Sequence, residues 1–311
     1  MFLENMANAA MQVIILYLLV AVGFIADRRK IFTESTAKLS NNLLFYIVTP
    51  AVIITSFLST EFSVQKAASL GIAFLGAAGT MLLGALLSAP FFKRKGADKP
   101  VYQFASVYGN MGYMSLPLAS AIIGSEGVFY CSAGVMAFNT VCFTHGVWLM
   151  SKRTDGQKVS FELKRIIRNP GVISVLIGLP LFIAGVKAPD IILTPLRHIA
   201  GMNTPLAMIF FGTYIANTDI KKMFLDGGIY VVGIIKLLLI PLIMLAVYKL
   251  VGVSGTLLTA CMISASAPSA NNTVMFSAKY GHDTKTASKI VALVSFISIF
   301  TIPFMVVLAS M

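Results

Sequence analysis

Apolar windows, free of charged side chains except Arg197 and Lys236, follow one another along almost the whole chain, each close to the length of about 20 residues that crosses a bilayer. Ten are readable, at 6–25, 41–58, 67–92, 101–123, 127–150, 170–186, 192–215, 228–248, 255–278 and 290–311. Short polar connections separate them. The pattern predicts an all-α membrane protein with ten transmembrane helices. The longest hydrophilic interval, "SKRTDGQKVSFELKRIIRN" at 151–169, divides the windows five and five. An odd number in each half turns the second half upside down relative to the first, which predicts two inverted five-helix repeats, 1–150 and 170–311, joined by a short basic loop.

Two windows are unusually polar for their place. The fourth contains "YGNMGYMSLPLASAIIG" (108–124) and the ninth "SASAPSANNTVMFSAKYG" (264–281). Proline removes a backbone donor and clashes with the preceding helical turn, and hydrocarbon offers no replacement partner. Both windows are therefore expected to be broken helices, with the break buried in protein or facing a wet cavity. Gly109, Gly112, Pro117 and Pro268 are the expected break residues. Half-helix N-termini carry unpaired N–H groups and the positive end of the helix dipole, which favours anions. Asparagine adds amide donors without burying a charge. Asn110, Ser269, Asn271 and Asn272 are thus candidate substrate-binding residues, and the substrate expected is a small organic anion, a mono- or dicarboxylate.

Composition agrees with a lipid-embedded chain: 57% of residues are hydrophobic, 12% are charged, and the mean hydropathy is +0.85. A net charge of +12 by itself would suit nucleic acid. The distribution excludes that partner, because 19 of the 24 basic residues fall in alternate connections and only three in the others. The positive-inside rule places the basic connections in the cytoplasm and both termini outside a plasma or inner membrane. The first window follows Glu4 and precedes "DRRK" (27–30), the reverse of a secretory signal peptide, so it is expected to be retained. Cys131, Cys142 and Cys261 all lie within windows and are read as small buried groups, with no metal site and no cofactor.

None of the twelve acidic residues lies deep in a window. Cation and proton coupling usually uses a buried carboxylate, so efflux driven by the membrane potential, roughly 2.3 kcal/mol per charge per 100 mV, is the favoured direction. An ion-coupled importer of organic acids, by sodium or proton symport, is the alternative. Lys236, inside the eighth window, is a candidate counter-charge for substrate or a side chain that snorkels to the interface. A reading of a different class is an intramembrane serine protease, from "GVSG" at 252–255, with Ser254 as nucleophile and His198 on the same side. A four-residue pattern in a short loop carries little specificity.

The succession of "LSNNLLFYIVTPAVI" (39–53), "GNMGYMSLPL" (109–118), "KRIIRNPGVISVLIGLP" (164–180), "NTPLAMIFFGTYIA" (203–216) and "APSANNTVMFSAKYG" (267–281) resembles the auxin efflux carrier family, along essentially the whole chain. That resemblance implies an architecture similar to sodium/proton antiporters and bile-acid symporters, with helices 4 and 9 broken and crossing at the substrate site. It also implies a scaffold of helices 1, 2, 6 and 7, a moving transport domain of helices 3–5 and 8–10, an elevator mechanism and a homodimer. A polar amide of the family's fifth helix falls on Asn139, which joins the candidate substrate residues. The plant members have proline where this chain has Gly109, so the break there is made differently.

Overall fold

The computed structural model describes residues 2–151, 163–217, 224 and 226–311. Most of the basic interval at 151–169, together with Lys221 and Lys222, lies outside the described residues. The described chain is mainly helical, and its longer helices are α1 (Phe2–Arg28), α2 (Glu34–Leu58), α3 (Val64–Ser88), α4 (Lys99–Val107), α5 (Met111–Ile122), α6 (Ser125–Ser151), α7 (Pro170–Ile183), α8 (Asp190–Ala216), α9 (Gly227–Leu250), α10 (Gly255–Ala265), α11 (Asn272–Lys279) and α12 (Thr284–Ser310).

The starts of these helices are written locally. Ser63 accepts from the Lys66 amide ahead of α3, Asn169 from Gly171 and Val172 ahead of α7, and Asp283 from Lys285 and Thr286 ahead of α12. Each cap satisfies amides that the first helical turn leaves without partners. Leu18, Leu75, Leu82, Leu86, Phe300 and Phe304 are exposed on the outer surface, where lipid rather than water is the solvent that suits them. The α1 and α8 helices pack backbone to backbone, and a methyl at Gly23 would stand 2.2 Å from the Ile209 carbonyl oxygen, one at Gly212 2.1 Å from that of Val20. Lipid supplies no hydrophobic drive between helices, so small residues that permit such close approach favour association.

The expected ten spans in two inverted five-helix repeats, with helices 4 and 9 broken, are corrected by this structure. Among the described residues six helices, α2, α3, α6, α8, α9 and α12, are long and apolar enough to cross a membrane. Hydropathy sums side chains and does not register where the backbone stops. The window at 101–123 is divided between the nine-residue α4 and the separate α5, and that at 255–278 between the 11-residue α10 and the eight-residue α11. The 14-residue α7 spans about 21 Å at 1.5 Å per residue, short of a hydrocarbon core of about 30 Å. The chain is an all-α, multi-pass membrane protein with six helices, among the described residues, that are long and apolar enough to cross a membrane.

One polar cluster fastens the connection before α4 to the start of α9. Asp226 caps the Gly228 amide at 2.8 Å, accepts from Lys95 Nζ at 2.6 Å and accepts from the Tyr102 hydroxyl. Partial burial opposes its charge, yet the Lys95, Tyr102 and Gly228 bonds outweigh that and hold its carboxyl below the ordinary carboxylate range. A carboxylate with a depressed folded pKa contributes stability above its unfolded pKa and loses it as pH falls through the folded value. Asp226→Asn keeps an oxygen to cap Gly228 but loses the ion pair with Lys95, and is therefore expected to cost about 0.2–1 kcal/mol at neutral pH. Melting curves of parent and variant in detergent should converge as the pH is lowered below the carboxylate range. A gap that persists in acid would contradict this account.

Candidate functional site

Two short extended segments meet where the apolar windows break. Gly109 and Ser269 pair as an antiparallel bridge. The Asn110 amide donates to the Pro268 carbonyl at 2.7 Å, and the Ala270 amide to that of Tyr108 at 2.9 Å. The Ser269 hydroxyl donates to the Ala105 carbonyl at 2.8 Å, and the Ser115 hydroxyl to that of Ile263 at 3.4 Å. Backbone groups freed by the breaks are thus satisfied by one another, which is what an apolar surrounding requires. Gly109 serves this crossing by its size. A methyl there would stand 3.0 Å from Lys236 Nζ and 3.1 Å from the Ala267 carbonyl oxygen.

Beside the crossing lies a cavity of about 620 Å³. Seven of the chain's eleven asparagines line it: Asn41, Asn42, Asn110, Asn139, Asn169, Asn271 and Asn272. No charged side chain is in its wall among the described residues. Aromatic rings, Phe45, Tyr46, Tyr113, Phe138, Phe143 and Phe210, form the rest of its lining with a few aliphatic groups. The volume is that of a small-molecule site, apolar for the most part with a few placed polar groups.

Three of the asparagines mark helix N-termini. Asn110 precedes α5 and accepts from the Tyr113 amide at 3.2 Å, while Asn169 precedes α7 and accepts from Gly171 at 2.9 Å and Val172 at 3.3 Å. Asn271 precedes α11 and makes no cap; its Oδ1 is buried without a partner. Each N-terminus carries roughly half a positive charge, so three of them on one uncharged cavity make it electropositive without any lysine or arginine. Asn169 Nδ2 also donates to Asn139 Oδ1 at 2.8 Å, and Asn139 Nδ2 to the Val135 carbonyl at 2.7 Å, a relay that locks both amides.

The sequence-predicted residues divide between the cavity and the crossing. Asn110, Asn139, Asn271, Asn272 and Gly112 line the cavity; at Gly112 an added methyl would meet no atom within 4 Å. Gly109, Pro268 and Ser269 form the crossing and are not in the cavity wall. Pro117 is buried in α5, just past the wide first turns over Met111–Ser115. Lys236 is fully buried behind the crossing and is not in the cavity wall either. Sequence reasoning missed Asn41, Asn42 and Asn169. The adjacent pair in "LSNN" repeats the doublet at 271–272, and an asparagine directly before Pro170 is a helix-start signal.

A family described as membrane transport protein matches residues 8–306 of the chain. The chain belongs to that family. The resemblance to auxin efflux carriers is borne out by this membership, which puts the chain among transporters and not among enzymes. Ser254 is accordingly read as the residue before α10 and not as a nucleophile. An uncharacterized transporter of Methanocaldococcus jannaschii is 26% identical over 282 residues, covering 88% of this chain and 90% of the relative. Another, from Methanothermobacter thermautotrophicus, is 24% identical over 299 residues, covering 92% and 93%. A Rhizobium meliloti protein whose name proposes it as a malonate transporter is 24% identical over 212 residues, covering 66% of each chain.

Proposed function

We propose that this transporter is a secondary carrier of a small organic anion, a mono- or dicarboxylate, across the plasma or inner membrane, with the membrane potential driving efflux. The observation that carries the reading is the convergence of three helix N-termini and seven asparagines on one cavity that has no charged side chain in its wall among the described residues. Such a wall favours an anion over a cation, and its amides recognise carboxylate oxygens by hydrogen bonding. Asn110, Asn139, Asn271 and Asn272 are the proposed substrate residues. The name of the Rhizobium meliloti relative makes malonate the first acid to test.

The cavity wall is shared. Asn41, Asn42, Thr49, Gly171 and Phe210 come from α2, α7 and α8 and their borders, and face residues of α5, α6 and α11. A site on such a boundary suits an elevator in which α1, α2, α7 and α8 stay fixed, paired in a homodimer, while the remaining helices carry substrate across. Both termini are proposed to lie outside. Cysteine introduced at Ser125 should then be labelled from outside and cysteine at Gly96 only from inside; the reverse pattern would overturn this orientation.

Flux of labelled malonate and acetate in proteoliposomes, with sodium, proton and voltage gradients imposed one at a time, tests the function. The expected result is saturable flux that responds to voltage alone. Flux that requires a sodium or proton gradient would replace potential-driven efflux by coupled import, and transport of amines without acids would refute the anion reading.

A further inference from the structure

Lys236 has no part in the cavity, yet it stands deep in α9, whose other basic residue, Lys249, is in the last turn. It does not snorkel. Its side chain is fully buried, and Nζ approaches the Val107 carbonyl oxygen at 3.4 Å. It also lies 3.0 Å from the place a Gly109 methyl would occupy, with the Ala267 carbonyl oxygen 3.1 Å from that same point. Among the described residues no carboxylate stands within salt-bridge distance of it. The residue sits in a widened turn, Ile235–Leu239, of the kind that often accompanies function.

What surrounds the ammonium is the other pole of the crossing. Val107 is the last residue of α4, and α10 ends at Ala265, two residues before Ala267. The cavity receives helix N-termini, whereas Lys236 meets the last carbonyl of α4, and the Ala267 carbonyl past the end of α10 borders the same Gly109 position; helix C-termini carry partial negative charge. A cation is the complement such ends require. A charged residue inside a span is costly enough that its retention points to a role.

We propose that Lys236 is the resident cation of the crossing: its ammonium holds, covalently, the place that a free monovalent cation would otherwise occupy behind the substrate site. The crossing then presents its positive ends to a mobile anion and its negative ends to a fixed cation. Gly109 is small because the ammonium and the Ala267 carbonyl need the room. Lys236 acts through the crossing and is a positioning residue that does not touch substrate.

The proposal rests on the anion reading for its binding readout only. Its test uses the purified full chain with Lys236→Ala and the near-isosteric Lys236→Met, each measured in sodium, in choline and with added ethylammonium. Parent affinity for malonate should be the same in sodium and choline. Both variants should bind on the order of tenfold more weakly, the upper size of a charge at a helix end, and ethylammonium should restore Lys236→Ala but not the filled Lys236→Met. Melting curves without any acid separate the two readings: ethylammonium should raise the melting temperature of Lys236→Ala and leave the parent unchanged, whether or not malonate binds. If Lys236→Ala is recovered only as aggregate, recovery of monodisperse protein with ethylammonium during purification is the same result. Sodium-dependent binding by the parent would overturn the resident cation, as would parent-like malonate affinity in Lys236→Met or an Ala variant indifferent to ethylammonium. In those cases acid binding by the parent leaves the anion reading of the cavity standing.

Discussion

Gly112→Leu is expected to abolish most transport while leaving the protein as stable as the parent or slightly more so. Nothing stands within 4 Å of a methyl added at this position, because it opens on the cavity. A leucine there meets no protein atom at its Cβ and fills the space that substrate needs. Glycine within a helix gives up about 0.5–1 kcal/mol relative to alanine, so the substitution tends to stabilise α5. A ligand pressed against the added side chain should lose on the order of 1–3 kcal/mol, the usual overpacking cost. Opposite signs for stability and affinity distinguish an obstructed site from a damaged fold. Melting curves together with malonate flux measure both. Parent-like flux in a folded Gly112→Leu protein would show that substrate passes elsewhere.

A second pair of substitutions should separate binding from folding among residues of the same type. Asn169 makes four roles depend on one amide: it caps Gly171 and Val172, and it holds the Asn139 carbonyl oxygen, which in turn fixes the Asn139 amide on Val135. Asn169→Ala removes the cap and leaves a buried acceptor unmet, for a loss of about 2–4 kcal/mol of stability. Asn271 differs, since it makes no cap and its Oδ1 is buried without a partner. Asn271→Ala deletes an unmet acceptor, so stability should hold or rise, while affinity for a carboxylate falls by about 1.5–3 kcal/mol, the size of a hydrogen bond to a charged group. Asn110→Ala should show both effects in smaller measure, because that side chain caps Tyr113 as well as lining the cavity. Equal stability losses at Asn169 and Asn271, with unchanged binding at Asn271, would make all of them packing residues.

Much of the site is legible in the sequence for a simple reason. Polar residues in apolar windows are costly, so Asn110 and the 271–272 pair stand out against their neighbours, while Asn139 is supplied by the family resemblance; all four line one cavity. Asn169 is invisible by that measure because it lies in a hydrophilic interval, where one more asparagine carries no contrast. Asn41 and Asn42 sit at the edge of a window and read as its boundary. The ten-span architecture failed on a different quantity. A hydropathy window counts apolar side chains and not helix length: among the described residues six helices are long and apolar enough to cross a membrane, while α5, α7 and α10 are shorter. Lys236 illustrates the same limit: the choice between a counter-charge for substrate and a snorkelling side chain depends on which neighbour the ammonium faces, and it faces the Val107 carbonyl.

The central claim, that the asparagine-lined cavity binds an organic anion through amides and helix N-termini, is tested most directly by competition between two molecules of nearly equal shape and different charge. Labelled malonate bound to the purified protein should be displaced by unlabelled malonate and not by malonamide, with the displacement lost in Asn271→Ala and Gly112→Leu. Displacement by malonamide as effectively as by malonate would contradict an anion site, because a cavity that does not distinguish the two does not use its helix N-termini to select charge.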